Sequence, residues 1–315
     1  VNASPLSEHA RGNGASRTLA YGPTGRSPWL DIDWRRHQRW VVVDGQAINT
    51  IELGDADAQP VVFVHGLAGS WPNWLEQVPV LAREHRVLAF DLPGFGHSTM
   101  PAGEISIASY ARLLDALLDE RAIDAAAVVG NSMGGFIAAE LAISYPQRVE
   151  RLVLVSAAGI STYGTPARRR ATGALRRLEA ALAGTTAWAA GHSDALARRP
   201  RLRDATLGLV ARHPSQLPAA LATELVRGAG TPGFFPALQA ILDYDVRERL
   251  PQIACPTLIV WGERDRLISV RDADVFAELI PDSRKVVYED TGHVAMLERP
   301  RAFNALLEGF LAAER

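Results

Sequence analysis

The chain opens its regular part with two β-type runs, residues 40–43 and 48–53, separated by Asp44-Gly45, a dipeptide suited to a two-residue hairpin. Beyond them, short continuous apolar runs alternate with stretches in which apolar positions recur every three or four residues. The runs at 61–64, 87–90, 125–129, 152–155, 257–261 and 285–288 have no polar alternation, as expected of strands covered on both faces. Between them, Ile107, Tyr110, Ala111, Leu114, Leu117 and Leu118 fall on one helical face, as do Phe303, Leu306, Leu307, Phe310 and Leu311. Helices are also predicted around 75–82, over 136–143 up to the stop at Tyr145-Pro146, and over 270–279. Strand–helix alternation of this kind predicts an α/β fold: a mostly parallel central sheet with helices on both faces.

One interval breaks the rhythm. From 159 to 250 the strand signal disappears, and Leu175, Leu178, Leu207, Val210, Leu221, Leu225, Leu238, Ile241 and Leu242 take helical spacings instead. The run from Gly228 to Gly233, with Pro232, reads as a loop between helices. Because the alternation resumes at once, 159–250 is expected to be a helical cap inserted into a core made of 39–158 and 251–315. Residues 1–38 form an N-terminal extension, partly disordered, in which 1–28 are rich in Gly, Ser, Ala and Arg without period. Residues 29–37 carry Trp29, Trp34, Arg35 and Arg36, and packing against the domain edge is favoured over an interfacial anchor.

Composition narrows the function mainly by exclusion. A formal net charge of −2 gives no electrostatic case for nucleic acid or an anionic membrane surface. The single cysteine, Cys255, excludes an internal disulfide and a multi-cysteine metal site. No apolar run reaches the length of a membrane span, and the first residues lack a signal-peptide pattern, so a cytoplasmic enzyme without stable membrane association is expected. Nothing points to a cofactor or a metal, and the oligomeric state is not legible.

The candidate chemistry lies in loops that follow predicted parallel strands, where open α/β sheets place ligands. Gly130-Asn131-Ser132-Met133-Gly134-Gly135 joins a strand to a helix and has the G-x-S-x-G form of a nucleophile elbow, in which small flanking residues permit a strained serine. His65-Gly66-Leu67-Ala68-Gly69-Ser70 follows run 61–64, Gly262-Glu263-Arg264-Asp265 follows run 257–261, and Asp290-Thr291-Gly292-His293 follows run 285–288. Acyl transfer needs a hydroxyl, an imidazole to take its proton and a carboxylate to hold the imidazole tautomer. Ser132, His293 and Asp265 supply these in the order Ser, Asp, His. Asp243 and Asp245 are rival acids, but they precede the strand at 257 and belong to the exit of the inserted segment.

These motifs, with Asp91-Leu92-Pro93-Gly94-Phe95-Gly96-His97-Ser98, resemble those of the α/β-hydrolase fold superfamily, in its esterase- and lipase-like branch with a helical cap. The similarity runs from about residue 39 to 311. It implies an oxyanion hole of backbone amides, Met133 after the nucleophile and Leu67 after His65-Gly66, and a structural role for His65. Trp71, Trp74 and Val294 are candidates for the substrate pocket. Serine at 132 departs from the epoxide hydrolase and haloalkane dehalogenase branches, whose nucleophile is aspartate. The elbow also resembles that of C–C bond hydrolases acting on ring-cleavage diketones, although Val294 replaces their usual tryptophan and the 65–68 loop carries less glycine. The expected activity is hydrolysis of a small, partly apolar carboxylic ester. The alternatives are C–C hydrolysis and, in another class, a non-catalytic small-molecule binder.

Overall fold

A computed structural model describes residues 20–162, 195, 198–227 and 231–313. Strands β1 (Gln38–Val43) and β2 (Gln46–Leu53) form a hairpin whose turn residues Asp44 and Gly45 both have positive φ, 49° and 77°. The six further strands are β3 (Pro60–Val64), β4 (Arg86–Phe90), β5 (Ala126–Asn131), β6 (Val149–Val155), β7 (Thr257–Gly262) and β8 (Ser283–Tyr288). They lie in the order β1-β2-β4-β3-β5-β6-β7-β8. The pairings of β2 are antiparallel and all others are parallel. The chain runs from β3 out to β4 on one side and then back to β5 on the other. The loops leaving β3 and β5 therefore diverge, which opens a crevice at the carboxyl ends of these two strands.

Alternate residues of each central strand feed two cores. Val62, Val64, Leu152 and Leu154 face the core shared with α2 (Ile107–Glu120), α3 (Met133–Ser144) and α7 (Arg271–Leu279). Val61, Phe63, Val153 and Val155 face α1 (Val78–Leu81), α8 (Ala295–Glu298) and α9 (Pro300–Ala312). Burial on both faces is why these strands read as unbroken apolar runs. Ser106 starts α2 by accepting from the Ser109 N–H at 3.0 Å while the Ser109 hydroxyl takes the Ser106 N–H at 2.8 Å, a reciprocal cap. Helix α3 is apolar around its whole girth, and every residue from Met133 to Ile143 is buried. Its one buried carboxylate, Glu140, is matched by Arg249 at 2.8 Å, the Ser144 hydroxyl at 2.7 Å and the Tyr244 hydroxyl.

Two stretches differ from the periodic reading. The helix expected around 75–82 is only the four residues of α1, and a separate 3-10 turn, Trp71–Trp74, precedes it. Pro72 and Pro79 sit in the first turns of these pieces, where a missing N–H costs nothing, and so divide the stretch in two. Short α8, directly after the 290–293 loop, is too brief to have a period. Between β6 and β7 the described residues form α4 (Pro200–Leu207), α5 (Ala219–Arg227) and α6 (Phe234–Asp243), with no strand among them. Leu175, Leu178 and 228–230 lie outside the described residues, as do 1–19 of the extension. Residues 29–37 lie against the domain: Trp29 donates its indole N–H to Glu76 at 2.7 Å, and Trp34 packs on Trp71 at 4.9 Å between ring centroids. No helix among the described residues is long and apolar enough to cross a membrane.

Candidate active site

Ser132 is the only residue between β5 and α3, and it makes the turn with φ 55° and ψ −117°. Such a backbone costs a non-glycine residue about 1–3 kcal/mol and persists only where its surroundings over-determine it. Here the end of β6 does so. The Ser132 N–H donates to the Val155 carbonyl at 2.9 Å, and the Ser132 carbonyl accepts from Ala158 N–H at 3.0 Å and Phe136 N–H at 3.1 Å. A Cβ on Gly130 would lie 2.2 Å from the Gly134 carbonyl oxygen, and one on Gly134 would lie 2.1 Å from the Val64 carbonyl oxygen. No side chain fits two residues before or after the serine. The chemistry and the sheet impose the same spacing.

On the neighbouring loops, His293 Nδ1 and Asp265 Oδ2 are 2.7 Å apart, with the two side chains 5% and 0% exposed. Asp265 follows β7 and uses its other oxygen, Oδ1, to accept from the N–H groups of Leu267 at 2.8 Å and Ile268 at 3.0 Å. An oxygen already holding two donors fixes the carboxylate plane and leaves Oδ2 for the imidazole. In a neutral ring this bond places the proton on Nδ1 and the lone pair on Nε2. The loops are tied together where Arg264 N–H meets the Thr291 carbonyl at 2.8 Å. The elbow is tied to the histidine by Asn131, whose side-chain amide donates to Val155 O at 3.0 Å and to His293 O at 3.4 Å. Among the described residues Ser132 Oγ makes no hydrogen bond to His293; contacts of this kind tighten when substrate is bound.

The loop after β3 closes the third side. Gly66 lies against the serine, since a Cβ on it would be 3.1 Å from Ser132 Cβ. His65 is fully buried, with Nδ1 2.8 Å from the Gly66 carbonyl and Nε2 accepting the Leu92 N–H at 2.9 Å. Both ring nitrogens are engaged in a way that suits the neutral imidazole, and burial pushes its pKa down against the pull of Asp91. His65 thus ties the 65–70 loop to the one after β4. Asp91, also fully buried, accepts from Asn49 Nδ2 at 2.7 Å, Trp71 N–H at 2.8 Å and His97 N–H at 2.9 Å. The backbone N–H groups of Leu67 and Met133 have no protein acceptor among the described residues. Met133 begins α3, so its amide adds the positive end of the helix dipole.

The other singled-out residues fall elsewhere. Trp74 has no exposed surface and packs on Phe63 at 4.8 Å, so it fills the core rather than walling a pocket. Trp71 is half-buried under Trp34. Val294 is 3% exposed and belongs to the same core as Trp74. Asp243 accepts from Gln239 and Asp245 from the Arg247 N–H at 3.0 Å; both are exposed and neither meets His293. A groove of about 360 Å³ beside Gln46, Pro93 and Tyr110 contains none of Ser132, Asp265 or His293. No group of His, Cys, Asp and Glu among the described residues is arranged to hold a metal ion.

Sequence reasoning missed Glu298 and Tyr21. Glu298 is fully buried at the end of α8 and accepts from the Gly292 N–H at 3.0 Å, the Arg212 N–H at 2.8 Å and the Tyr21 hydroxyl at 2.8 Å. A carboxylate inside the apolar run after His293 was the available signal for Glu298. Tyr21 carried none, standing in an aperiodic stretch.

The alpha/beta hydrolase fold family model matches residues 59–300. Among curated proteins, the chain is 31% identical to a 2-hydroxy-6-oxo-2,4-heptadienoate hydrolase of Pseudomonas putida, over 88% of this chain and 96% of that one. It is also 31% identical to the dihydrolipoyllysine-residue acetyltransferase component of the acetoin cleaving system of Cupriavidus necator, over 85% of this chain and 67% of that one. Among solved structures, a bacterial membrane phospholipase A, a virulence factor, superposes with a TM-score of 0.68 at 29% identity, covering 88% of this chain and 87% of that one. With a family match over 59–300, an eight-stranded mostly parallel sheet and a serine at the strained turn after β5, this chain belongs to the alpha/beta hydrolase fold family.

Proposed function

We propose that this chain hydrolyses carboxylic esters of small to medium, partly apolar substrates through an acyl-enzyme on Ser132. The observation that supports the reading is the buried His293–Asp265 pair, 2.7 Å apart, whose His293 carbonyl is bonded by the Asn131 side chain, next in the chain to the serine of the elbow. In this reading Ser132 Oγ attacks the ester carbonyl carbon and its proton passes to His293 Nε2. The carbonyl oxygen becomes an oxyanion that accepts from the Leu67 and Met133 N–H groups, donors in place before the charge develops. Collapse breaks the C–O bond, and the departing alkoxide takes the proton from His293. Water then repeats the sequence on the acyl-enzyme, with His293 as base, and releases the acid. Asp265 stays ionised and holds the imidazolium that forms in each half. In the same reading the segment inserted between β6 and β7 selects the acyl group.

A second reading, C–C hydrolysis of a vinylogous 1,5-diketone acid, is supported by the likeness to the Pseudomonas putida hydrolase. The test is a side-by-side assay of p-nitrophenyl butyrate and such a diketone, with an alkyl fluorophosphonate as a probe of the serine. Wild type is expected to turn over the ester and take up the probe on Ser132, while Ser132→Ala does neither and stays folded. A specificity constant favouring the diketone by about a hundredfold, about 2.7 kcal/mol of transition-state binding, would replace the ester reading with the second.

A further inference from the structure

The backbone around His293 is held from outside the sheet. The His293 N–H donates to the Val210 carbonyl at 2.9 Å, in the segment just after α4. One residue earlier, the Gly292 N–H is shared between both oxygens of Glu298, each at 3.0 Å. Glu298 Oε2 also takes the Arg212 N–H, two residues beyond Val210. The fit is close: a Cβ on Gly292 would lie 2.8 Å from the Arg212 nitrogen and 3.0 Å from Glu298 Oε1. Glu298 thus joins the two chain segments that between them bind consecutive N–H groups, those of Gly292 and His293.

Tyr21 completes the circuit. Its hydroxyl donates to Glu298 Oε2 and accepts the His213 N–H, both at 2.8 Å. The next residue, Gly22, donates its N–H to the Glu298 carbonyl at 2.7 Å. The tyrosine ring is held edge-on to His213 at 5.2 Å and under the Arg299 guanidinium at 5.0 Å. Burial drives the Glu298 carboxyl above its usual range, and the backbone donors of Gly292 and Arg212 and the Tyr21 hydroxyl pull the other way. The Gly292 and Arg212 N–H groups and the Tyr21 hydroxyl are all placed to donate, an arrangement that an acceptor-only carboxylate satisfies in full. Tyr21 lies well before residue 59, where the family match begins, so this brace comes from outside the matched region.

We propose that Tyr21 and Glu298 are positioning residues for His293: the N-terminal segment, through the Tyr21 hydroxyl, fixes the Glu298 carboxylate, and Glu298 fixes the 292–293 backbone that aims the imidazole at Ser132. The proposal rests on the serine-hydrolase reading for its kinetic consequence but not for its structural one. Small displacements of a catalytic base cost large factors in rate while leaving binding untouched.

The experiment uses the full chain as wild type, Tyr21→Phe, Glu298→Gln and, as a control in the same segment, Thr24→Ala, whose hydroxyl accepts from exposed Arg301 and from no other group among the described residues. Two readouts are taken: kcat and KM on p-nitrophenyl butyrate, and the low-field proton NMR signal of His293 Nδ1–H in its bond to Asp265. Tyr21→Phe, which keeps the ring and its stacking, is expected to lower kcat about tenfold with KM within about twofold, and to broaden the low-field signal by faster exchange. Thr24→Ala leaves both unchanged. Glu298→Gln, if it folds, has the larger effect, because its amide sets donors against donors. An unchanged low-field signal and wild-type kcat in Tyr21→Phe would overturn the proposal and leave Tyr21 a simple structural brace. If the wild type neither turns over ester nor takes up fluorophosphonate, the hydrolytic reading fails, and the NMR comparison still decides whether Tyr21 orders His293.

Discussion

Asp265→Asn tests the chemistry most sharply, because the structure dictates which way the new amide must point. Asp265 Oδ1 holds the N–H groups of Leu267 and Ile268, at 2.8 and 3.0 Å, and Oδ2 holds His293 Nδ1 at 2.7 Å. An asparagine that keeps its oxygen on the two backbone donors turns its NH2 toward Nδ1. The imidazole must then accept there and carry its proton on Nε2, which leaves no lone pair to take the Ser132 proton. The flipped amide would restore the tautomer but set NH2 against two N–H groups, at about 1–3 kcal/mol for each donor left unsatisfied. The first arrangement is therefore preferred by about 2–6 kcal/mol, and the wrong tautomer dominates. In Ser-His-Asp triads that change lowers kcat by about 10⁴, or about 5.5 kcal/mol of barrier. Stability should hardly change, because the preferred amide preserves both backbone bonds. The assay is kcat on p-nitrophenyl butyrate beside urea unfolding. A variant that kept kcat within about tenfold of wild type would refute the assignment of Asp265.

Two further substitutions test the scaffold. Gly134→Ala places a Cβ 2.1 Å from a backbone oxygen of β3, which cannot move without the sheet, so a loss of about 3 kcal/mol in urea unfolding is expected together with loss of fluorophosphonate labelling. Asp290→Asn removes the carboxylate that His213, foremost, and Arg212 hold below its ordinary value of 3.8. A depressed folded pKa gives stability that is full above the unfolded value and lost as the pH falls through the folded one, so wild type should exceed the variant in stability above about pH 5 and the gap should close as the pH falls, giving the variant the shallower acid limb.

The parts of this molecule that were legible in its sequence are those whose physics is local. Asp44-Gly45 announces its turn because few dipeptides accept two positive φ values, and runs such as 125–129 announce buried strands because both their faces meet apolar helices. Gly130 and Gly134 are legible for the same kind of reason: the elbow compresses its constraints into five consecutive residues. The triad candidates could be ordered along the chain because each follows a strand, and strand ends are where an open parallel sheet places its ligands. Trp74 shows the limit. Its place close after the 65–70 loop suggested a pocket wall, yet proximity in sequence cannot say which face a residue takes in a short turn begun at Pro72, and its ring turned into the core.

The contacts around Glu298 were illegible for a different reason. They join residues 21, 212, 292 and 298, which share no period, motif or composition, and each bond is short only because the fold has brought separate segments to one point. A buried carboxylate is costly unless donors converge on it, so Glu298 on its own argues that partners exist without saying where. Supplying them from backbone N–H groups hides them from any reading of side chains, since every residue but proline has one. Only the tyrosine hydroxyl is a side-chain donor, and it comes from the stretch with the least pattern in the chain. The same convergence places this cluster one residue from His293. The segment after α4 meets the 290–293 loop at the His293 N–H and again, with the N-terminal segment, at the Glu298 carboxylate.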